Sequence, residues 1–186
     1  MPLQIHELHP TLVHAPLVLL PAAAGVDLAA VSARGRLRRF ALDAAGRRLW
    51  WVAVGSAALA GAAGMAASQE VHLEDPAARD AMWLHGMGNT CILLAGVGLA
   101  AWRSGHRATA ASAAMGAAAV GAAVYTAWLG GELVYTHGAG VKRMGAADSP
   151  PLFSARGPAR LLADAGRGLA WLMGRAGRLA ARKEPL

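Results

Sequence analysis

The sequence predicts an all-α integral membrane protein: an up-down four-helix bundle followed by a C-terminal amphipathic helix at an interface. Three observations predict it. Of 186 residues, 55% are hydrophobic and only 16% are charged, against roughly a quarter charged in soluble domains. Four apolar blocks run over 12–31, 49–67, 82–102 and 108–135, each near the ~20 residues that span a bilayer. The basic residues fall between these blocks. A nucleic-acid binder would instead carry basic patches on a polar chain, so the net charge of +7 does not point to nucleic acid.

The first block, 12–31, holds His14, Pro16, Pro21 and Asp27. Prolines near the start of a membrane helix are tolerated because first-turn amides have no helical partner. No Lys or Arg precedes this block, so a standard secretory signal peptide is not expected. A basic loop, 32–48, carries six arginines, and Trp50-Trp51 opens the second block as interface anchors. An acidic loop, 68–81, follows with His72. The third block carries His85 and Asn89 and ends at Trp102, before a short basic turn with His106. The fourth, rich in Ala and Gly, ends in Gly130-Gly131-Glu132-Leu133-Val134-Tyr135-Thr136-His137-Gly138.

The charge asymmetry sets an orientation. The loops at 32–48 and 103–107 hold eight Lys/Arg; the N-terminus and the acidic loop hold one. The positive-inside rule therefore predicts a bacterial cytoplasmic (inner) membrane protein with its N-terminus outside. Residues 1–143 form the membrane domain and 144–186 a linker and basic tail. In the tail, Leu161, Ala165, Leu169, Leu172, Ala176 and Leu179 repeat at helical spacing, with arginines opposite. Such a helix lies along a membrane surface or a partner, although its basic charge outside runs against the same rule.

With this topology His6, His9, His14, His72, His85 and His137 fall at the outer side and His106 inside. His14 and His85 lie in the first turns of helices one and three, and His137 just past helix four. In an up-down bundle helices one and three are diagonal, so His14 and His85 are expected to face each other across the centre. His85, Gly88, Asn89, Ile92 and Gly96 share a face, and the glycines leave room for a flat ring. Tyr125, Trp128, Glu132 and Tyr135 share a face of helix four. Facing imidazoles, apolar walls and small residues suit a b-type haem with axial histidines, with Glu132, Asn89 or a backbone carbonyl holding an imidazole N–H.

Plainer readings stand beside this. His6, His72 and His106 read as solvated loop residues, and His9 and His137 equally well as interfacial polar groups. Asp27 and Glu132 can do no more than pair with arginine, amides or histidine. The Ala/Gly pattern of helix four is ordinary close packing. Cys91, the single cysteine, reads as inert and buried, and it rules out an internal disulfide or a multi-cysteine metal site.

Three motifs resemble a known group. His9-Pro10-Thr11-Leu12-Val13-His14-Ala15-Pro16, His85-Gly86-Met87-Gly88-Asn89 and the stretch from Gly130 to Val141 resemble, in order, three motifs of the bacterial predicted membrane proteins called domain of unknown function 2231. The likeness covers roughly residues 6–143; Ala15 stands where the family usually has Phe. The resemblance implies four membrane helices. It also implies a redox setting, because some relatives are joined to Rieske-type iron–sulfur domains; this chain lacks the Rieske Cys/His pairs, so any such partner is a separate protein.

The leading expectation is a cytochrome-like electron-transfer subunit. It binds haem b near the outer (periplasmic) face through His14 and His85, with His137 or His9 as the alternative ligand and Asn89, Glu132 and Tyr135 lining the site. Its partners are the lipid bilayer, quinone, and a periplasmic redox protein (Rieske or c-type cytochrome) or a membrane complex. Two other classes remain open: a zinc or copper site built from these imidazoles with Glu132, and a structural membrane anchor subunit of a larger complex. No nucleophile elbow, phosphate loop or paired-acid motif points to a stand-alone enzyme.

Overall fold

The computed structural model describes residues 5–71, 73–140 and 157–181. His72 and the expected domain boundary at residue 143 lie outside them. The chain divides into two compact units, 1–147 and 148–186. Every regular element among the described residues is helical.

In the first unit a short helix α1 (Ile5–Leu12) leads into α2 (His14–Ser32). The break between them has a local cause. Pro16 has no N–H to give the carbonyl of Leu12, so the helical ladder is interrupted there. α1 then packs on α3. The expected short polar lead-in at residues 1–10 is thus helical from Ile5.

α3 (Arg36–Ala67) begins 13 residues before the predicted second block. The basic stretch 36–48 is helix, not loop. It is rich in Arg, Leu and Ala, all good helix formers. Hydropathy marks where a helix enters lipid, not where it starts winding. At ~1.5 Å per residue α3 is about 48 Å long, well beyond the ~30 Å hydrocarbon core.

α4 (Pro76–Gly105) starts under an N-cap, with Asp75 Oδ1 accepting from the Ala77 amide at 3.0 Å and Pro76 in the first turn. α5 (Ala110–Tyr135) starts at a capping box formed by Thr109 and Ser112. Leu8–Ser32, α3, α4 and α5 are each long and apolar enough to cross a membrane.

α2 packs on α3, α3 on α4, α4 on α5, and α5 returns to α2. The shared core contains Leu20, Ala23, Trp50, Ala53, Val54, Leu99, Ala100 and Ala123. Trp50 is fully buried here, which corrects its expected role as an interface anchor. Trp51 is about half exposed and donates its indole N–H to Ser104 Oγ at 2.9 Å. Cys91, expected to be buried, is exposed. In the second unit α6 spans Gly157–Ala181.

Candidate histidine site

Two polar clusters occupy opposite ends of the bundle. The first is ionic. Asp27 of α2, Asp43 and Trp50 of α3, and Arg103 of α4 are all buried. Arg103 Nε and Nη2 donate to the two oxygens of Asp27, each at 2.9 Å. Nη2 also reaches Asp43 Oδ1 at 3.0 Å. The Trp50 indole donates to Asp27 Oδ2 at 2.9 Å, and the Ala108 amide to Asp43 Oδ1 at 2.8 Å. Arg103 Nη1 donates to the His106 carbonyl. One guanidinium thus ties α2, α3 and α4 to the turn that starts α5.

The second cluster holds the histidines. His9 on α1 donates Nδ1–H to the carbonyl of Ala60 on α3 at 3.0 Å. His85 on α4 donates Nδ1–H to the carbonyl of Thr126 on α5 at 2.7 Å. Four residues past each acceptor is a glycine. A Cβ on Gly64 would lie 2.8 Å from His9 Cε1, and one on Gly130 2.9 Å from His85 Cε1. Each imidazole therefore docks in the same way, with a carbonyl at position i and bare backbone at i+4. Their ring centroids are 6.3 Å apart and their planes nearly perpendicular, at 85°.

The Nδ1–H bonds fix the tautomer, so in the neutral ring each Nε2 carries the lone pair. For His85 that lone pair accepts from Asn89 Nδ2 at 3.2 Å. Asn89 is oriented in turn by the Thr126 hydroxyl, which donates to its Oδ1 at 2.9 Å. His9 Nε2 has no hydrogen-bond partner among the described residues.

The remaining predicted residues go elsewhere. His14 is exposed, with Nδ1 3.3 Å from the Thr11 carbonyl. The expected His14–His85 pairing is therefore replaced by His9–His85. His9 and His14 are five residues apart, about 140° around a helix that continues through Val13, so with His9 on α3 His14 falls on an outward face. His137 Nδ1 lies 3.3 Å from Asp75 Oδ2. Glu132 accepts from the Thr136 hydroxyl, and Tyr135 is 91% exposed. None of these four hydrogen-bonds, pairs or stacks with His9 or His85 among the described residues. Tyr125 and Trp128 are also exposed and stack on each other, so their face of α5 is no wall of this site. Nor does Gly88 leave space beside His85: a Cβ there would meet Thr126 Cγ2 at 2.8 Å.

Among the described residues no group of three or more His, Cys, Asp or Glu is placed to hold a metal ion. The donor set is two imidazoles. Two imidazoles on opposite sides of one ion, with metal–nitrogen bonds of about 2.0–2.1 Å, would have centroids roughly 6 Å apart. The 6.3 Å between the two centroids is of that order, and both rings are held through Nδ1–H, as ligating histidines commonly are.

No curated protein and no solved structure matches this chain. The family model described as Predicted membrane protein (DUF2231) matches residues 5–143. That region includes α1 to α5 and every residue of both polar clusters, and the chain belongs to this family.

Proposed function

We propose that this protein is a membrane electron-transfer subunit that holds one b-type haem between His9 and His85. The observation that carries the reading is the matched docking of the two imidazoles, each held through Nδ1–H by a helix carbonyl, with their ring centroids 6.3 Å apart. Such a haem would supply a one-electron couple, its potential set by burial and by the hydrogen bonds on its ligands. The chain's own residues do the positioning. The Ala60 and Thr126 carbonyls hold Nδ1–H and raise ligand basicity. Gly64 and Gly130 admit the rings. Asn89 satisfies His85 Nε2 in the arrangement described, so a metal at that nitrogen takes the place of the Asn89 hydrogen bond.

The eight-to-one distribution of Lys/Arg between the loop sets supports placing this end at the extracytoplasmic face. There the subunit would exchange electrons between the quinone pool and a periplasmic carrier, a Rieske protein or c-type cytochrome. Zinc or copper has less support, because zinc sites ordinarily take at least three protein ligands and two imidazoles are brought together among the described residues.

The test is a reduced-minus-oxidised absorption spectrum of the detergent-purified protein, produced with haem supplied. A b-type signal is expected, lost in His9→Ala and in His85→Ala and kept in His14→Ala and His137→Ala. A flat spectrum from the wild type with no bound iron overturns the reading.

One observation favours a second reading, a structural anchor. His85, Asn89 and Thr126 close a hydrogen-bonded ring on themselves, which staples α4 to α5 without any cofactor. In that case His85→Ala lowers thermal stability and no preparation contains iron.

A further inference from the structure

The helix α6 of the second unit is not used by the histidine site, and its two faces differ sharply in chemistry. At 100° per residue, Leu161, Leu162, Leu169, Leu172, Met173 and Leu179 fall within one arc of about 120°. Of these, Leu162, Leu169, Leu172 and Met173 are exposed, at 76, 56, 41 and 67%. Arg160, Arg167, Arg175 and Arg178 fall in the opposite arc with a single acid, Asp164. Arg167 pairs with Asp164, and Arg175 lies over the Trp171 ring at 5.2 Å. The two apolar segments that would end at Ser32 and begin at Arg36 are separated by a short turn, but 21 residues separate Tyr135 from Gly157. α6 belongs to the same chain as four helices long and apolar enough to cross a membrane.

We infer that α6 lies in the surface of the bilayer and binds anionic lipid, its leucine arc among the upper acyl chains and its arginines on phosphate headgroups. Charge decides the occupant. A bare apolar arc would suit any hydrophobic partner, but this one is bordered by four arginines against one carboxylate, and the first unit's spanning helices anchor the same chain in a phospholipid membrane. Juxtamembrane arginines gain from anionic headgroups, and an apolar arc of this width seats a helix in the interface plane rather than across it. Arginines at 167, 175 and 178 also divide the helix too evenly to leave an uncharged span of ~20 residues.

The chain's single cysteine makes the test direct. In a Cys91→Ser background, an environment-sensitive fluorophore is attached at Met173→Cys on the apolar arc or at Gly174→Cys beside the arginines. The full-length protein is then placed in vesicles of phosphatidylcholine alone or with phosphatidylglycerol. The expected result with phosphatidylglycerol is a blue-shifted Met173→Cys label, quenched by spin-labelled lipid, and a water-exposed Gly174→Cys label. Changing Arg167, Arg175 and Arg178 together to Gln is expected to lower the docked-to-free ratio on the order of a hundredfold, with high salt acting in the same direction. A Met173→Cys label that stays aqueous in both vesicles overturns the proposal. So does a label that is blue-shifted but out of reach of the lipid quencher, which would mean that protein covers the arc. Equal docking in pure phosphatidylcholine overturns the role given to the arginines.

Discussion

At one end of the bundle, a guanidinium, two carboxylates, an indole and a backbone amide are locked together. Asp27 and Arg103 are wholly buried, and each has several partners. At the other end, two imidazoles dock against glycine-bearing helices, and Nε2 of His9 is left without a hydrogen bond among the described residues. Both ends hold polar groups at helix junctions, but among the described residues the arginine end is closed and the histidine end leaves one ring nitrogen without a hydrogen bond. The difference is one of closure. A buried charge network has to be closed, because an unpaired member is costly in low dielectric. A neutral imidazole is cheaper to leave open, which the proposed ligand role for His9 would require.

The sharpest way to break this comparison is to open the closed end. Arg103→Met strands Asp27 and Asp43 in the interior. The expected loss is about 3–5 kcal/mol, the usual penalty for removing one partner of a buried ion network. Thermal unfolding in detergent reads it. Adding Asp27→Asn and Asp43→Asn to the same chain should recover part of the loss. No recovery would mean that shape, rather than charge, holds this end together.

Glycine substitutions compare the two ends on equal terms. A Cβ on Gly46 would stand 2.4 Å from Asp27 Oδ1, and that oxygen is fixed by Arg103. Gly46→Ala is therefore expected near the upper end of the roughly 1–3 kcal/mol typical of overpacking. Gly64→Ala and Gly130→Ala press on imidazoles that can rotate, so they belong near the lower end of that range. Their larger effect is on ligand placement, and each should reduce haem content if His9 and His85 are the ligands. Similar stability losses at all three positions would remove the distinction drawn between rigid and yielding ends.

Much of the fold was legible because lipid imposes length and apolarity on each crossing helix, and the four apolar blocks at 12–31, 49–67, 82–102 and 108–135 carry that signal strongly. The start of α3 was not, because Arg36 to Arg48 is polar enough to read as loop while being made of good helix formers. Trp50 was misread because a tryptophan beside a block of arginines has the composition of an interface anchor; its burial depends on Asp27, 23 residues away. The site was half legible. His85 and Asn89 follow from spacing on one helix, and His9 was named only as an alternative to His14. The choice between them turns on which face of the helix meets α3, and on Gly64, whose missing side chain receives the ring. The angle between the two histidines was visible in the sequence; the pairing of His9 with Gly64 is a tertiary contact that no local pattern encodes.

A smaller effect sharpens the histidine end. Thr126→Val keeps the shape of the side chain and removes the hydroxyl that orients Asn89. The half-buried Asn89 Oδ1 then lacks its donor, and about 1 kcal/mol should be lost. A metal at His85 Nε2 would displace the Asn89 hydrogen bond, so a spectral shift in this variant would show Asn89 acting on the site from another position. A stability loss with no spectral change would confine the Asn89–Thr126 pair to stapling α4 on α5.

The smallest expected effect lies at His137, the family motif's last histidine, which the structure places outside both clusters. Its contact with Asp75 is at 3.3 Å between side chains 23% and 54% exposed. Exposed pairs of this kind contribute about 0–1 kcal/mol, so His137→Ala should barely move the unfolding temperature. Asp75 has a second task, because its other oxygen caps α4 at the Ala77 amide. Asp75→Ala should therefore cost more, about 0.5–2 kcal/mol for a lost N-cap, and Asp75→Asn, which keeps an acceptor there, should sit close to wild type. A loss in His137→Ala as large as that in Asp75→Ala would show that the pair latches the end of α5 to the start of α4. His137 would then belong with the stapling residues of the arginine end rather than among spectators of the histidine site.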